Sequence, residues 1–172
     1  MTQRRTWAAI PGLVALAVAA VMLSAYSGAS SPQGRAPVQP INFPHPRHVG
    51  LLGMNCLYCH FAANRSPDPG MPAVAVCMGC HTIVGTQLPE VQKLAKYAAT
   101  NRPIVWKRIH KVPEYVHFPH MRHVNAGVQC QECHGPIQTM TRVYQYASLN
   151  MGWCINCHVE RKVRYDCAIC HY

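Results

Sequence analysis

Ten cysteines occur in this chain of 172 residues, and all ten fall into five CxxC pairs that are each followed directly by histidine. We number these CxxCH motifs I to V in chain order: Cys56–His60, Cys77–His81, Cys130–His134, Cys154–His158 and Cys167–His171. Structural zinc requires no histidine directly after each pair, and five pairs do not divide evenly into Cys₄ sites. A thioredoxin-like motif occurs once, beside a βαβ pattern that this sequence lacks. The spacing instead indicates covalent attachment of c-type haem.

In such a motif the two thiols bond to one haem, and the adjacent imidazole ligates the iron from the proximal side. The sequence therefore predicts five c-type haems. The covalent attachment residues are Cys56, Cys59, Cys77, Cys80, Cys130, Cys133, Cys154, Cys157, Cys167 and Cys170, and the proximal ligands are His60, His81, His134, His158 and His171. With 3 Phe in the chain and 13% charged residues, we expect the macrocycles to supply the apolar core that a small chain otherwise lacks.

Six further histidines compete for the five distal positions: His45, His48, His110, His117, His120 and His123. Four of them lie in a repeat, FPHPRHV at 43–49 and FPHMRHV at 118–124, which indicates an internal duplication of 43–81 and 118–158. Histidines three positions apart share one face if the segment is helical. Met140 and Met151 are alternative thioether ligands, Met140 the better placed, although methionine more often fills gaps in a core.

An uncharged run from Trp7 to Tyr26 follows the basic start MTQRR. Twenty helical residues extend about 30 Å, the thickness of the hydrocarbon core of a bilayer. Arg4 and Arg5 favour an N-terminus on the cytoplasmic side of the membrane. We therefore predict a single-pass helix (1–26) in the cytoplasmic (inner) membrane, with the remainder on the periplasmic face. A cleaved signal peptide is the alternative.

Residues 27–40 are rich in Gly, Ser and Pro and predict an extended tether, followed by the haem domain at 41–172. One amphipathic helix is predicted at 89–100, with Val91, Leu94, Ala95 and Ala98 on one face. No useful strand-like alternation is present. The expected fold is mostly irregular with short α-helices, wrapped around a haem stack, plus one N-terminal transmembrane helix.

The FPHxRH segment before CxxCH resembles the class III multihaem cytochromes, in which the two histidines of HxxH ligate two different haems. The stretch WKRIHKVPEYVHFPHMRHVNAGVQCQECHG from Trp106, together with MGWCINCHVER ending at Arg161, resembles the pentahaem membrane-anchored subunit of alternative complex III. The resemblance covers roughly residues 38–171. It implies that the distal ligands are His45, His48, His110, His120 and His123. His117 departs from the pattern, because an aromatic residue is expected there, and we interpret it as a non-ligand.

The resemblance implies an electron-transfer subunit of an oxidoreductase complex. Such a subunit is not a catalyst on its own, and we assign no catalytic residues. Its partners would be integral-membrane quinone-binding subunits, an iron–sulfur subunit, and a monohaem cytochrome or copper-protein acceptor. Two alternatives stay open: a membrane-anchored quinol dehydrogenase cytochrome, and a multihaem nitrite or hydroxylamine-type oxidoreductase with one open haem. Six spare histidines for five irons favour closed coordination. The formal charge of +10 includes no basic run interleaved with aromatics, so nucleic acid is not an expected partner.

Overall fold

The computed structural model describes the backbone of residues 3–27 and 31–172, and the side chains of residues 10–24 and 31–172. Seven α-helices occur in this part of the chain. They are α1 (Gln3–Ser27), α2 (Cys56–Cys59), α3 (Val74–His81), α4 (Pro89–Ala99), α5 (His120–Asn125), α6 (Cys130–His134) and α7 (Met151–Glu160). A π-helical turn covers Pro46–Leu51, and 3₁₀ turns cover Ile137–Thr139 and Cys167–Ile169. No strand is present over the same residues, which confirms the predicted fold of short helices and irregular loops.

Local capping explains why helices begin at the CxxCH motifs. The Asn55 side chain accepts a hydrogen bond from the backbone N–H of Leu57 and caps α2, and Asn150 caps α7 through Trp153. Before α6, Gln129 and Glu132 form a reciprocal capping box. Each cap satisfies backbone donors that the first helical turn leaves unpaired. The short motif helices therefore begin at sequence-defined positions.

The predicted helix at 89–100 is confirmed as α4, which begins with Pro89 at its first turn. Val91 and Leu94 are buried as expected, whereas Ala95 is exposed and Tyr97 packs on the core in its place. The core cluster of Ile41, Leu94 and Ile104 lies between α4 and α3. Residue 41, the predicted start of the haem domain, is thus already part of the packed structure.

The described part of the predicted tether, residues 31–40, is docked on the rest of the chain. Gly34 donates to the carbonyl of Gln145 at 2.7 Å, and Gln145 donates back to the carbonyl of Arg35 at 3.0 Å. Gln33 Nε2 adds a bond to the carbonyl of Tyr146 at 2.7 Å. Residues 31–35 are therefore held along 144–148 by main-chain pairing, which residue composition does not reveal.

Helix α1 packs against α7, the helix that carries motif IV. Its described apolar side chains are exposed, including Leu13, Leu16 and Val21. Across the described residues, no helix reaches the length and apolarity that crossing a bilayer requires. Part of the predicted span, 7–9 and 25–26, lies outside the described side chains.

Candidate haem-binding sites

Four of the CxxCH motifs lie on α-helices and motif V lies on a 3₁₀ turn. In a helix, side chains three and four positions apart lie on one face, so both thiols and the following imidazole face the same side. No group of three or more His, Cys, Asp or Glu side chains in the described chain is arranged to hold a metal ion. Over these residues the cysteine pairs do not converge into tetrahedral sites.

Three CxxCH histidines each have another histidine ring at about the spacing that an iron between them requires. The ring centroids are 6.0 Å apart for His48 and His81, 6.4 Å for His120 and His134, and 6.1 Å for His123 and His158. Two imidazoles that bind one metal from opposite sides, each at about 2 Å from nitrogen to metal, have ring centres roughly 6 Å apart.

His45 is affected by the histidine of motif I. Burial, then the neighbouring His60 and His48, lowers the pKa of His45 to about 4. In both copies of the repeat, the second histidine of HxxH pairs with the farther downstream CxxCH. In the second copy, the first histidine pairs with the nearer one.

Hydrogen bonds to backbone carbonyls fix the orientation of these imidazoles. Four CxxCH histidines donate a hydrogen bond from Nδ1 to a backbone carbonyl, with N···O distances of 2.5–3.2 Å. The pairs are His60 with Gly70, His81 with Val84, His158 with Arg164, and His171 with Tyr115. Among the distal candidates, Nδ1 donates to Pro44 from His48, to Pro67 from His120 and to Pro119 from His123, over 3.0–3.1 Å. An imidazole that donates through Nδ1 presents Nε2 as its free lone pair, the arrangement of a metal-ligating histidine.

Burial keeps several of these rings neutral. Burial, then His110, His120 and His60, lowers the pKa of His134 to about 3. Burial, then His120, lowers the pKa of His110 to about 4. Low dielectric surroundings disfavour the imidazolium. A neutral imidazole is the form that can donate a lone pair to iron.

The remaining candidates lie in different surroundings. The His110 ring is edge-on to His134 with the centroids 4.3 Å apart, and its buried Nε2 has no protein hydrogen-bond partner. His117 stacks on Tyr172 at 4.3 Å. Met140 is buried against Gly135, and Met151 is exposed at the start of α7. The position of Met140 fits packing, and its role as a ligand stays a prediction.

The residues present fit a large apolar cofactor. Buried hydrophobic residues in the described chain are few, namely Ile41, Ala63, Val91, Leu94, Ile104, Met140 and Ala147. Large apolar side chains beside motifs I and II are exposed, among them Tyr58, Phe61 and Ile83. Such exposure next to attachment cysteines is expected where a macrocycle completes the core. The orphaned polar atoms His45 Nδ1 and His110 Nε2 lie in the same region of paired imidazoles.

The spatial order of the motifs differs from their order in the sequence. Burial raises the pKa of four thiols, and the next largest cause in each case is a cysteine of another motif. The pKa of Cys77 is raised by Cys59, that of Cys130 by Cys56, that of Cys133 by Cys157, and that of Cys154 by Cys170. Each pair joins two motifs. An ion pair between Arg161 and Glu132 also joins α7 to α6. Because such an influence of one thiol on another acts only between nearby groups, we infer that the motifs follow one another as II, I, III, IV, V.

Sequence reasoning did not assign a role to two features of these sites. The carbonyls that orient the imidazoles belong to the main chain, so residue type does not identify them. The rings of Phe43 and Phe118, which contact the HxxH histidines, were visible as the first letter of the repeat. The repeat was the available signal.

Comparison with known proteins agrees with this chemistry. Residues 116–172 match the family described as cytochrome c7 and related cytochrome c. The chain is also similar to the multihaem cytochrome c subunit of menaquinone reductase from Nitratidesulfovibrio vulgaris strain Hildenborough, with 33% identity over 97 residues. That match covers 56% of this chain and 45% of the relative, so the chain spans less than half the length of the relative.

Proposed function

We propose that this chain, a multihaem cytochrome c with a cytochrome c7-like C-terminal third, holds five haems and relays electrons from quinol-oxidising membrane subunits to a periplasmic acceptor. The observation that carries this proposal is the set of imidazole pairs about 6 Å apart. Haems held by the CxxCH cysteines and by paired histidines would supply one-electron redox chemistry. The chain resembles the pentahaem subunit of alternative complex III, and we propose that it belongs to a complex of that kind.

Three ligand assignments follow from the pairs: His48 to the motif II haem, His120 to motif III and His123 to motif IV. We assign His45 to the motif I haem because it has the position in the first repeat that His120 has in the second. Each HxxH segment thereby connects two haems and fixes their separation. The resemblance assigns the fifth distal position to His110, whose ring lies 4.3 Å from that of His134 in motif III. His117, which stacks on Tyr172 next to motif V, is not a ligand in this proposal.

The path would follow the spatial order of the motifs. Helix α1 packs on α7, beside motif IV, so we place the membrane-proximal end of the path at motifs IV and V. The opposite end, at motif II, would face the acceptor. The protein contributes closely spaced attachment points and histidine rings that hydrogen bonds to backbone carbonyls orient.

We further propose that α1 attaches the chain to the inner membrane, with the haem domain on the periplasmic side. The exposure of Leu13, Leu16 and Val21 on α1 supports a lipid or protein environment around that helix. Detergent should be needed to release the protein from membranes, and high salt should not release it. Quantitative release by salt would contradict this attachment.

The similar protein from Nitratidesulfovibrio vulgaris is a subunit of a menaquinone reductase, which favours a second candidate, electron flow towards the quinone. The two directions differ in the complex that they require. If the purified complex reduces its haems with a menaquinol analogue and passes electrons to a soluble acceptor, oxidation is supported. Haems that are oxidised by menaquinone, and that are not reduced by menaquinol, would support the second candidate.

The haem content and coordination test the proposal itself. Intact mass of the denatured, fully matured protein should equal the polypeptide plus five haems. Oxidised spectra should show low-spin haem, and carbon monoxide and azide should leave the spectra nearly unchanged. Four or fewer haems would contradict the assignment. A native high-spin haem that binds azide or nitrite would favour the oxidoreductase alternative.

A further inference from the structure

Each HxxH segment contains a phenyl ring in contact with both of its histidines. Phe43 stacks on His48 with the ring centroids 4.4 Å apart and 27° between the planes, and it lies edge-on to His45 at 4.7 Å and 82°. These are the offset-stacked and T-shaped arrangements that aromatic rings prefer.

The second copy of the repeat reproduces this geometry. Phe118 stacks on His123 at 4.3 Å and 29°, and it lies edge-on to His120 at 4.9 Å and 89°. The first copy is a π-helical turn and the second is the α-helix α5. The ring arrangement is thus kept although the backbone conformation differs, which points to a requirement on the rings rather than on the helix.

We propose that Phe43 and Phe118 are positioning residues, each of which fixes the orientation of the distal imidazoles of two different haems. A phenyl ring against the face of one imidazole and at the edge of the other blocks rotation of both. The proposal rests on the ligand assignment of the proposed function, in which Phe43 serves the motif I and II haems and Phe118 serves those of motifs III and IV.

The four imidazoles do not depend equally on the phenyl rings. His48, His120 and His123 are also held by Nδ1 bonds to backbone carbonyls. His45 Nδ1 is buried and has no protein hydrogen-bond partner. The orientation of His45 therefore depends most on its phenyl neighbour, and the motif I haem should respond most to loss of that ring.

The haem-loaded protein tests this through electron paramagnetic resonance and redox titration, because ligand-plane orientation sets low-spin g-values and second-shell contacts tune potentials. Phe43→Leu should shift the g-values of two of the five low-spin components, one strongly. Phe118→Leu should shift a different two by a smaller amount. The double variant should shift four and leave one unchanged.

The variants Phe43→Tyr and Phe118→Tyr keep the ring and should reproduce the wild-type signals. If a Leu variant binds fewer than five haems, the corresponding Met variant keeps apolar volume without a ring and takes its place. A uniform shift of all five components, no shift, or an equal shift in the Tyr variants would overturn the proposal. If the wild type itself lacks five low-spin haems, the proposed function fails; if it has them and the Leu spectra are unchanged, the positioning role alone fails.

Discussion

Individual histidines separate a closed electron conduit from an open catalytic haem. The ring centroids of His120 and His134 are 6.4 Å apart, whereas the ring of His117 stacks on Tyr172. Replacing His120 by Ala should convert one of the five proposed low-spin haems to high spin, because the iron would lose a neutral imidazole. Optical and resonance spectra of the oxidised protein measure this change.

His117→Ala is the matched control, and it should leave the haem spectra unchanged. His110→Ala should open a different haem from His120→Ala. If His117→Ala creates a high-spin haem and His110→Ala does not, the roles of these two residues are reversed. If neither does, Met140→Ala identifies a methionine ligand through loss of a high-potential haem.

A second prediction at the residue scale concerns Gly135, which directly follows the motif III histidine with φ of +72°. A Cβ atom there would overlap the Tyr146 ring and lie 2.9 Å from Met140 Cε. Gly135→Ala should therefore lower the free energy of unfolding by about 1–3 kcal/mol more than a substitution that only strains the backbone.

Gly127 supplies that comparison, because its φ is +80° and a Cβ atom would meet nothing within 4 Å. Denaturant titrations of Gly135→Ala and Gly127→Ala, both with five haems, give the difference directly. Equal destabilisation by the two substitutions would show that Tyr146 and Met140 move aside without cost.

At the scale of elements, the segment 31–35 depends on Gln145, whose side chain is fully buried. Gln145 Nε2 donates to the carbonyls of Ala147 at 3.1 Å and Ser148 at 3.2 Å. Gln145→Ala leaves both acceptors without this donor, which costs about 1–3 kcal/mol. Amide exchange at Gly34 should accelerate, since its N–H donates to the carbonyl of Gln145.

Gln33→Ala is the control for this change, because it removes one exposed side-chain bond to Tyr146 and no buried one. Its effect on Gly34 exchange should be small. Hydrogen–deuterium exchange followed by mass spectrometry measures both variants. Unchanged exchange in Gln145→Ala would mean that main-chain pairing alone holds the segment.

At the scale of the whole molecule, the spatial order II, I, III, IV, V makes the motif II haem terminal, whereas the sequence order would make it internal. His48→Met should raise the potential of the motif II haem, because thioether ligation favours the reduced iron. The motif II haem would then be reduced before its neighbour, and its changed charge should shift the reduction potential of that one neighbouring haem. His123→Met alters an internal haem and should displace two neighbours.

Redox titrations of the two variants against wild type measure these displacements. Two displaced neighbours in His48→Met would contradict the terminal position of motif II. The comparison is internally matched, because both substitutions replace the second histidine of an HxxH segment.

The sequence alone predicted the chemistry that we propose for this chain. Haem attachment needs two thiols and an imidazole at fixed spacing, so CxxCH is a local signal, and the repeated FPHxRHV segments identified four distal candidates. The α4 helix was likewise predictable from its apolar spacing, except that Tyr97 packs on the core and Ala95 does not. These features depend on residues close together in the chain.

Tertiary structure alone decided which histidine faces which motif, and which motifs are neighbours. Motif III lies beside motif I rather than motif II because the two halves meet through loops: His120 Nδ1 bonds the carbonyl of Pro67, and the Pro46–Leu51 turn packs on Ile137–Thr139. The docking of 31–35 on 144–148 is similar in kind. Such contacts end on backbone carbonyls that are 53 and 113 residues away in the chain. Every residue carries a backbone carbonyl, so residue type does not show which one will accept the bond.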